Sequence, residues 1–169
     1  MSSVNEVYRQ ATLDDAERLL SVIRRAYRSI GELEIEFAAV HADLEMVRTN
    51  VAEYASYVLE INGTIVATIS LRSLPEVTDL PFLYNFAVDP AYANRGVGNK
   101  LLAYAEEAVV RDILLSPAVV LATSAKHPWL LPMYERKGYV RFYERELGRD
   151  DKLVFLRKNL LPEVRATTG

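Results

Sequence analysis

Residues 83–102 read LYNFAVDPAYANRGVGNKLL, and this stretch decides the fold of the 169-residue chain. It begins as a strand pattern that closes at an Asp-Pro pair, passes through a loop containing Gly96 and Gly98, and continues as an amphipathic helix. Glycine lets the backbone approach a ligand closely, and a helix N-terminus offers unpaired N–H groups to an anion. Arg95 and Lys100 add positive charge. The stretch therefore predicts a phosphate-binding strand–loop–helix unit.

Two common phosphate loops fit this stretch poorly. The dinucleotide fingerprint requires a third glycine where this chain has Leu101. A Walker loop ends in Gly-Lys followed by Ser or Thr, which Gly98-Asn99-Lys100 does not provide. A nicotinamide-dependent oxidoreductase is thus disfavoured, though it stays open as an alternative.

The flanking sequence predicts a mixed α/β domain with one central sheet. Apolar periodicity predicts strands over 4–10, 56–61, 64–73, 80–88, 118–123, 139–146 and 152–159. Helices are predicted over 13–29 and 43–53, from the glycine loop to about 115, and before Gly138. Thr12 is the expected cap of the first helix and Gly31 its expected end, while Asn62-Gly63 predicts a type I′ hairpin turn.

Composition excludes several classes of protein. The chain is 50% apolar with a net charge of −3, which excludes an intrinsically disordered protein. It has no cysteine, so disulfides, thiolate metal sites and thiol nucleophiles are excluded. A sequence pI near 5.5 argues against nucleic acid as a partner, and no apolar run is long enough to span a membrane. We expect a single domain with a core over 4–160 and a polar tail over 162–169, located in the cytoplasm, and the apolar late strands are compatible with a homodimer.

Two motifs connect this pattern to a known family. Phe86-Ala87-Val88-Asp89-Pro90 precedes the loop Gly96-Val97-Gly98, and the second motif, PMYERKGY, occupies residues 132–139. Together they resemble the motifs of the GNAT superfamily of acyl-CoA-dependent N-acyltransferases. The chain departs from the family pattern at Ala93, the first position of the loop motif, and at His127, where the family often has Asn.

The resemblance implies a fold and an activity. It implies a central, mostly antiparallel twisted sheet of about seven strands flanked by about four helices. An acetyl or other short acyl group would pass from coenzyme A to a primary amine by direct attack, through a tetrahedral intermediate. Tyr134 would protonate the departing thiolate. The donor, acetyl-CoA, would contact the residues of the loop, the preceding strand and the position before the second motif: Phe86, Val88, Asn94, Arg95, Gly96, Val97, Gly98, Asn99 and His127.

The acceptor side is less defined by the resemblance. The acceptor is expected to be the amine of a small molecule or a peptide, near Tyr84, Asn85 and Glu34. Many relatives place a catalytic glutamate on the strand before the loop, where this chain has Tyr84 and Asn85, so the base is not identified. No metal site is predicted. A non-catalytic acyl-CoA sensor of the same fold is the alternative reading.

Overall fold

The computed structural model describes residues 5–32, 42–127, 129–146 and 151–161; Glu34, an expected acceptor residue, lies outside them. Within these described ranges, seven strands and four helices follow one another. The strands are β1 (Glu6–Gln10), β2 (Ala55–Ile61), β3 (Thr64–Leu74), β4 (Thr78–Val88), β5 (Ala118–Ser124), β6 (Val140–Glu146) and β7 (Lys152–Asn159). The helices are α1 (Ala16–Glu32), α2 (Leu44–Glu53), α3 (Val97–Tyr104) and α4 (Leu130–Arg136), and α3 continues as a π-helix over Ala105–Ile113. None of the described helices is long and apolar enough to cross a membrane.

The strands form one sheet in the order β1-β2-β3-β4-β5-β7-β6. Neighbouring strands are antiparallel except β4 and β5, which are parallel. The fold class predicted from the two motifs, a mostly antiparallel seven-stranded sheet with four helices, is therefore confirmed. Buried apolar side chains of α1 and α2 pack on one part of the sheet, and those of α3 and its π-helical extension on another.

The local turn and cap signals agree with the structure except at one glycine. Asn62 and Gly63 have φ values of 52° and 81°, as a type I′ turn requires, and Gly138 ends α4 with φ of 98°. The Thr12 N–H donates to the Asp15 carboxylate at 2.8 Å and so caps a short 3-10 turn before α1. Helix α1 includes the glycine expected to end it and runs to Glu32. Glycine ends a helix only where it turns left-handed, and inside a helix it costs only about 1 kcal/mol.

The parallel strands β4 and β5 diverge after a short contact. Within these strands, pairing joins only Phe82 to Val120 and Leu83 to Leu121. Two residues further on, Asn85 has a left-handed backbone with φ of 49°, and the register between β3 and β4 shifts at the same level. Such a bulge bends a strand away from its neighbour. The gap that it opens between β4 and β5 is where the cavities of the protein lie.

Candidate active site

Two cavities meet in the gap between β4 and β5. The loop cavity, of about 520 Å³, is lined by the end of β4, the 90–99 loop and the start of α4. The strand cavity, of about 390 Å³, is lined by β3, β4, β5, β6 and β7. Four side chains line both cavities and mark their junction: Tyr27, Phe86, Leu130 and Tyr134. A ligand in the loop cavity can therefore reach a second ligand in the strand cavity.

The loop cavity presents backbone N–H groups at the start of α3. Gly96 has φ of 74° and Asn94 has φ of 64°, so the chain turns left-handed just before the helix. The first backbone hydrogen bond of the helix runs from the Lys100 N–H to the Gly96 carbonyl at 3.0 Å. The N–H groups of Val97, Gly98 and Asn99 consequently have no acceptor within the helix. They can bind an anion, as the sequence predicts.

Gly98 has a different role from Gly96. A Cβ atom at Gly98 would lie 3.0 Å from Val88 Cγ2 and 3.3 Å from Phe86 Cζ, closer than ordinary contacts. A Cβ atom at Gly96 would meet nothing within 4 Å. Gly98 thus lets α3 pack tightly on the end of β4, whereas Gly96 is needed for its left-handed backbone.

The side-chain cations expected near the loop are held elsewhere. Lys100 Nζ lies 2.7 Å from a carboxylate oxygen of Glu6. The Arg95 guanidinium stands 5.4 Å from the centre of the Tyr92 ring, and Arg95 does not line the loop cavity. Lys137, which the sequence did not point to, donates to Asn99 Oδ1 at 2.6 Å and ties α4 to the loop.

Tyr134 lies at the junction of the two cavities. The residue is only 5% exposed, and its ring packs edge-on against Tyr139 at 5.6 Å. Its hydroxyl makes no hydrogen bond to any residue that the structure describes. Burial, followed by the nearby Tyr27 and Glu106, raises the pKa of the Tyr134 phenol well above its usual value. The phenol is therefore protonated at neutral pH and directed into the junction without a competing partner.

A buried polar cluster of Glu106, Tyr139 and Lys158 packs against Tyr134 through the Tyr139 ring. The Tyr139 hydroxyl donates to Glu106 Oε2 at 2.5 Å, and Lys158 Nζ lies 2.9 Å from Glu106 Oε1. Burial, and then the Glu106 charge, raise the pKa of Tyr139. Because the carboxylate of Glu106 is satisfied by both partners, this cluster has a structural role and fixes the ring that packs on Tyr134.

His127 lines the loop cavity and positions the start of α4. It is 4% exposed, and its Nδ1 accepts from the Leu130 N–H at 3.3 Å. Burial lowers the pKa of the imidazole, which is consistent with a neutral ring whose Nδ1 is the acceptor. The ring also packs edge-on against Trp129 at 4.4 Å between centroids.

Asp89, the first carboxylate after the position of the missing glutamate, is not available as a base. Its carboxylate accepts from Arg18 at 2.8 Å, from Arg25 at 3.1 Å and from the Ala91 N–H at 3.0 Å. Burial opposes ionisation, but these three donors outweigh it and hold the pKa of Asp89 below its usual value. The residue lines neither cavity and instead joins α1 to the end of β4.

The strand cavity contains the expected Tyr84 and Asn85. The Tyr84 hydroxyl donates to Asn50 Oδ1 at 2.7 Å, and burial raises the pKa of its phenol. Sequence reasoning missed four polar side chains that line the cavity, because each reaches it from a different element and none belongs to a motif: Tyr27, Arg72, Thr123 and Arg145. Among the described residues, no Asp or Glu lines either cavity, and no three His, Asp or Glu side chains are arranged to hold a metal ion.

Comparison with known proteins agrees with this geometry. The model of the acetyltransferase (GNAT) family matches residues 17–139. The chain is 48% identical to the S-(2-succino)cysteine N-acetyltransferase of Bacillus subtilis (strain 168), over 90% of this chain and 95% of that protein. It is 40% identical to the S-alkylcysteine N-acetyltransferase of the same organism, over 94% of this chain and 92% of that protein.

Solved structures share the fold at low sequence identity. The ribosomal-protein-S18-alanine N-acetyltransferase of Escherichia coli superposes with a TM-score of 0.71 at 19% identity, covering 96% of this chain and 98% of that one. The PaiA N-acetyltransferase of Thermoplasma acidophilum, solved with coenzyme A, gives 0.71 at 14% identity, covering 92% of this chain and 99% of that one.

The fold and the two meeting cavities define an enzyme that transfers a group between two bound ligands. The chain belongs to the acetyltransferase (GNAT) family. The prediction of an acyl-CoA-dependent N-acetyltransferase, which transfers an acyl group to an amine, is therefore confirmed.

Proposed function

We propose that this enzyme acetylates the α-amino group of an S-substituted cysteine, with acetyl-CoA as the donor. The observation that carries the proposal is the junction of an anion-binding loop cavity with a separate strand cavity at Tyr134. The two Bacillus subtilis relatives, named as acetyltransferases of S-(2-succino)cysteine and S-alkylcysteine, support this class of acceptor.

The loop cavity suits the donor. The N–H groups of Val97, Gly98 and Asn99 are oriented to hold a pyrophosphate at the positive end of α3. The edge of β4 that diverges from β5 offers backbone groups at Phe86 and Val88 to the pantetheine arm. The Tyr27 hydroxyl donates to the Phe86 carbonyl at 2.6 Å, so it fixes this edge from the side of α1.

The residues of the junction suggest how protons move during transfer. The amine attacks the thioester carbon from the strand cavity and forms a tetrahedral intermediate, and the C–S bond breaks as this intermediate collapses. Tyr134 donates its proton to the departing thiolate, since its phenol is protonated and has no competing partner. The proton lost by the amine passes to water, because no described carboxylate lines either cavity.

Release of coenzyme A from acetyl-CoA tests the proposal directly. S-(2-succino)cysteine, S-ethylcysteine, free cysteine and an alanine-terminated peptide should be compared, with mass spectrometry locating the acetyl group. The S-substituted cysteines should be acetylated on nitrogen with the highest kcat/KM. Preference for the peptide would refute this acceptor class.

Thermal unfolding separates the two alternatives to an acetyl-CoA-dependent enzyme. Acetyl-CoA and desulfo-CoA at 100 times their dissociation constants should each stabilise the fold by about 2.7 kcal/mol, whereas NADH and ATP should not. Stabilisation by NADH alone would favour a nicotinamide enzyme. Stabilisation by both coenzyme A compounds without turnover on any amine would favour a sensor.

A further inference from the structure

Two arginines, on strands to either side of β4 and β5, line the strand cavity. Arg72 belongs to β3 and Arg145 to β6, and both line the cavity. They are the only charged side chains among its described lining residues. The wall between them is mainly apolar and aromatic, with Phe82 and Phe155 at its centre. The cavity therefore has a positive rim that no acidic lining residue neutralises.

Neither guanidinium is paired with a carboxylate of the described residues. Arg72 stacks 4.4 Å from the centre of the Tyr54 ring, and its Nε donates to the Ser73 carbonyl at 3.2 Å. Arg145 lies 5.2 Å from the centre of the Phe155 ring. Other arginines of this protein, such as Arg9 and Arg18, form ion pairs with nearby carboxylates. Aromatic stacking orients Arg72 and Arg145 while leaving their outer nitrogens available for a bidentate anion.

The two guanidinium groups flank the strand cavity from different strands. Arg72 also lies 6.0 Å from the Tyr84 ring on β4, and Arg145 lies over Phe155 on β7. Arg72 thus lies on the β3–β4 side of β5 and Arg145 on its β7–β6 side, and both line the same cavity. An S-substituted cysteine with an acidic substituent carries carboxylates a few bonds apart on either side of its sulfur.

An unpartnered hydroxyl lies in the same cavity. Thr123 is 1% exposed, and its Oγ1 is buried without a hydrogen-bond partner among the described residues. Ala122 pairs with Phe155, the ring under Arg145, so the side chain of its neighbour Thr123 lies on the other face of β5. Thr123 shares its face of β5 with Leu121, which packs in the same core as Tyr134. It therefore lies on the side of the sheet where the acceptor nitrogen must reach the donor.

We propose that Arg72 and Arg145 bind two carboxylates of the acceptor, the α-carboxylate and a carboxylate on the sulfur substituent. The enzyme consequently selects S-substituted cysteines whose substituent is anionic. This assignment rests on the proposed function, because it takes the acceptor to be a cysteine derivative.

The test uses two acceptors of the same shape that differ by one charge. S-carboxymethylcysteine carries a carboxylate where S-carbamoylmethylcysteine carries an amide. We expect the wild-type enzyme to have a kcat/KM on the order of 10- to 100-fold higher for the carboxylate, as for a charged hydrogen-bond pair. Both ligands should be compared with Arg72→Gln and Arg145→Gln. The control is Arg157→Gln, an exposed arginine of β7 that lines neither cavity.

One arginine variant should lose the preference for S-carboxymethylcysteine, because its kcat/KM falls for that acceptor and not for S-carbamoylmethylcysteine. The other should lose about 10- to 100-fold on both acceptors, because both share the α-carboxylate. Arg157→Gln should keep the wild-type preference. Equal use of both acceptors by the wild type, or an unchanged preference in both variants, would overturn the assignment. If a glutamine variant unfolds, Arg→Lys at the same position keeps the charge while removing bidentate geometry.

A binding measurement separates this inference from the proposed function. Calorimetric titration of both acceptors into the enzyme bound to desulfo-CoA gives a ratio of dissociation constants that does not depend on turnover. If neither acceptor is acetylated, the proposed function fails, while the ratio still tests the two arginines. If the wild type binds both acceptors with nearly equal dissociation constants, the proposed binding of the substituent carboxylate is refuted, even where both acceptors are acetylated.

Discussion

Replacement of Tyr134 by Phe should separate catalysis from stability. The hydroxyl makes no hydrogen bond to a described residue, and the ring keeps its edge-on contact with Tyr139 at 5.6 Å. The free energy of unfolding should therefore change by less than about 1 kcal/mol, because no buried partner is left unsatisfied. Loss of the acid that protonates the thiolate should lower kcat by on the order of 10²–10⁴.

Tyr139→Phe is the matched control and should behave in the opposite way. Its hydroxyl donates to the Glu106 carboxylate at 2.5 Å, and a hydrogen bond to a charged group is worth about 1.5–3 kcal/mol. For a chain of this size, that loss lowers the unfolding midpoint by about 3–12 °C. Tyr139 lines neither cavity, so kcat should stay within about threefold of wild type.

Release of coenzyme A at saturating acetyl-CoA gives kcat for both variants, and thermal unfolding without ligands gives their midpoints. Desulfo-CoA binding to Tyr134→Phe checks that the donor still binds. Retention of kcat within tenfold of wild type in a variant that binds the donor would refute Tyr134 as the acid. A large midpoint loss in Tyr134→Phe would instead reveal a structural hydrogen bond for its hydroxyl.

Three further substitutions test the framework of the site. In Gly98→Ala, the new Cβ would lie 3.0 Å from Val88 Cγ2 and push α3 away from β4. The substitution should lower the free energy of unfolding by about 1–3 kcal/mol in urea unfolding, and it should weaken desulfo-CoA binding measured by calorimetry. Asp89→Asn should lower the free energy of unfolding at pH 7 by about 1–3 kcal/mol. Because the pKa of Asp89 is lowered in the folded state, its carboxylate stabilises the fold fully above its unfolded pKa of about 3.9, and this stabilisation is lost as pH falls through the folded pKa. In urea unfolding, the free energies of unfolding of the wild type and Asp89→Asn should therefore converge below about pH 4. Asn85→Val should destabilise the fold by about 1–2 kcal/mol in the same assay, whereas Asn85→Gly should not, because a β-branched side chain tolerates φ of 49° poorly.

Local chemistry explains which parts of the fold could be predicted from the sequence. The Asn62-Gly63 turn and the glycines of the loop act through their own backbone, so their signals are readable in a few consecutive residues. Gly31 misled the prediction, because its effect on helix α1 depends on surroundings that the local sequence does not specify. The backbone geometry of the glycine loop was accordingly predictable, and its role in donor binding stays a prediction.

The acceptor side was not predictable, because it is assembled from side chains distant in sequence. Arg72, Thr123 and Arg145 belong to β3, β5 and β6, and each has an ordinary polar position in its own strand pattern. Only the sheet order, which puts β7 between β5 and β6, brings them to one cavity. Asp89 lies within the motif before the loop, and its three donors give it a structural role.

The gap between β4 and β5 explains why the sequence predicts the loop cavity better than the strand cavity. The left-handed backbone at Asn85 bends β4 after Leu83, and the bend frees an edge that the donor can use whatever its acyl acceptor. The same gap connects the donor to a cavity whose rim is formed by strands that do not contribute to the loop. Arg72 and Arg145 line only the strand cavity, so under the proposed assignment we expect changes at these residues to alter acceptor use and to leave donor binding unchanged. We therefore expect the acceptor preference to lie in these rim side chains, while the chemistry is set by the junction.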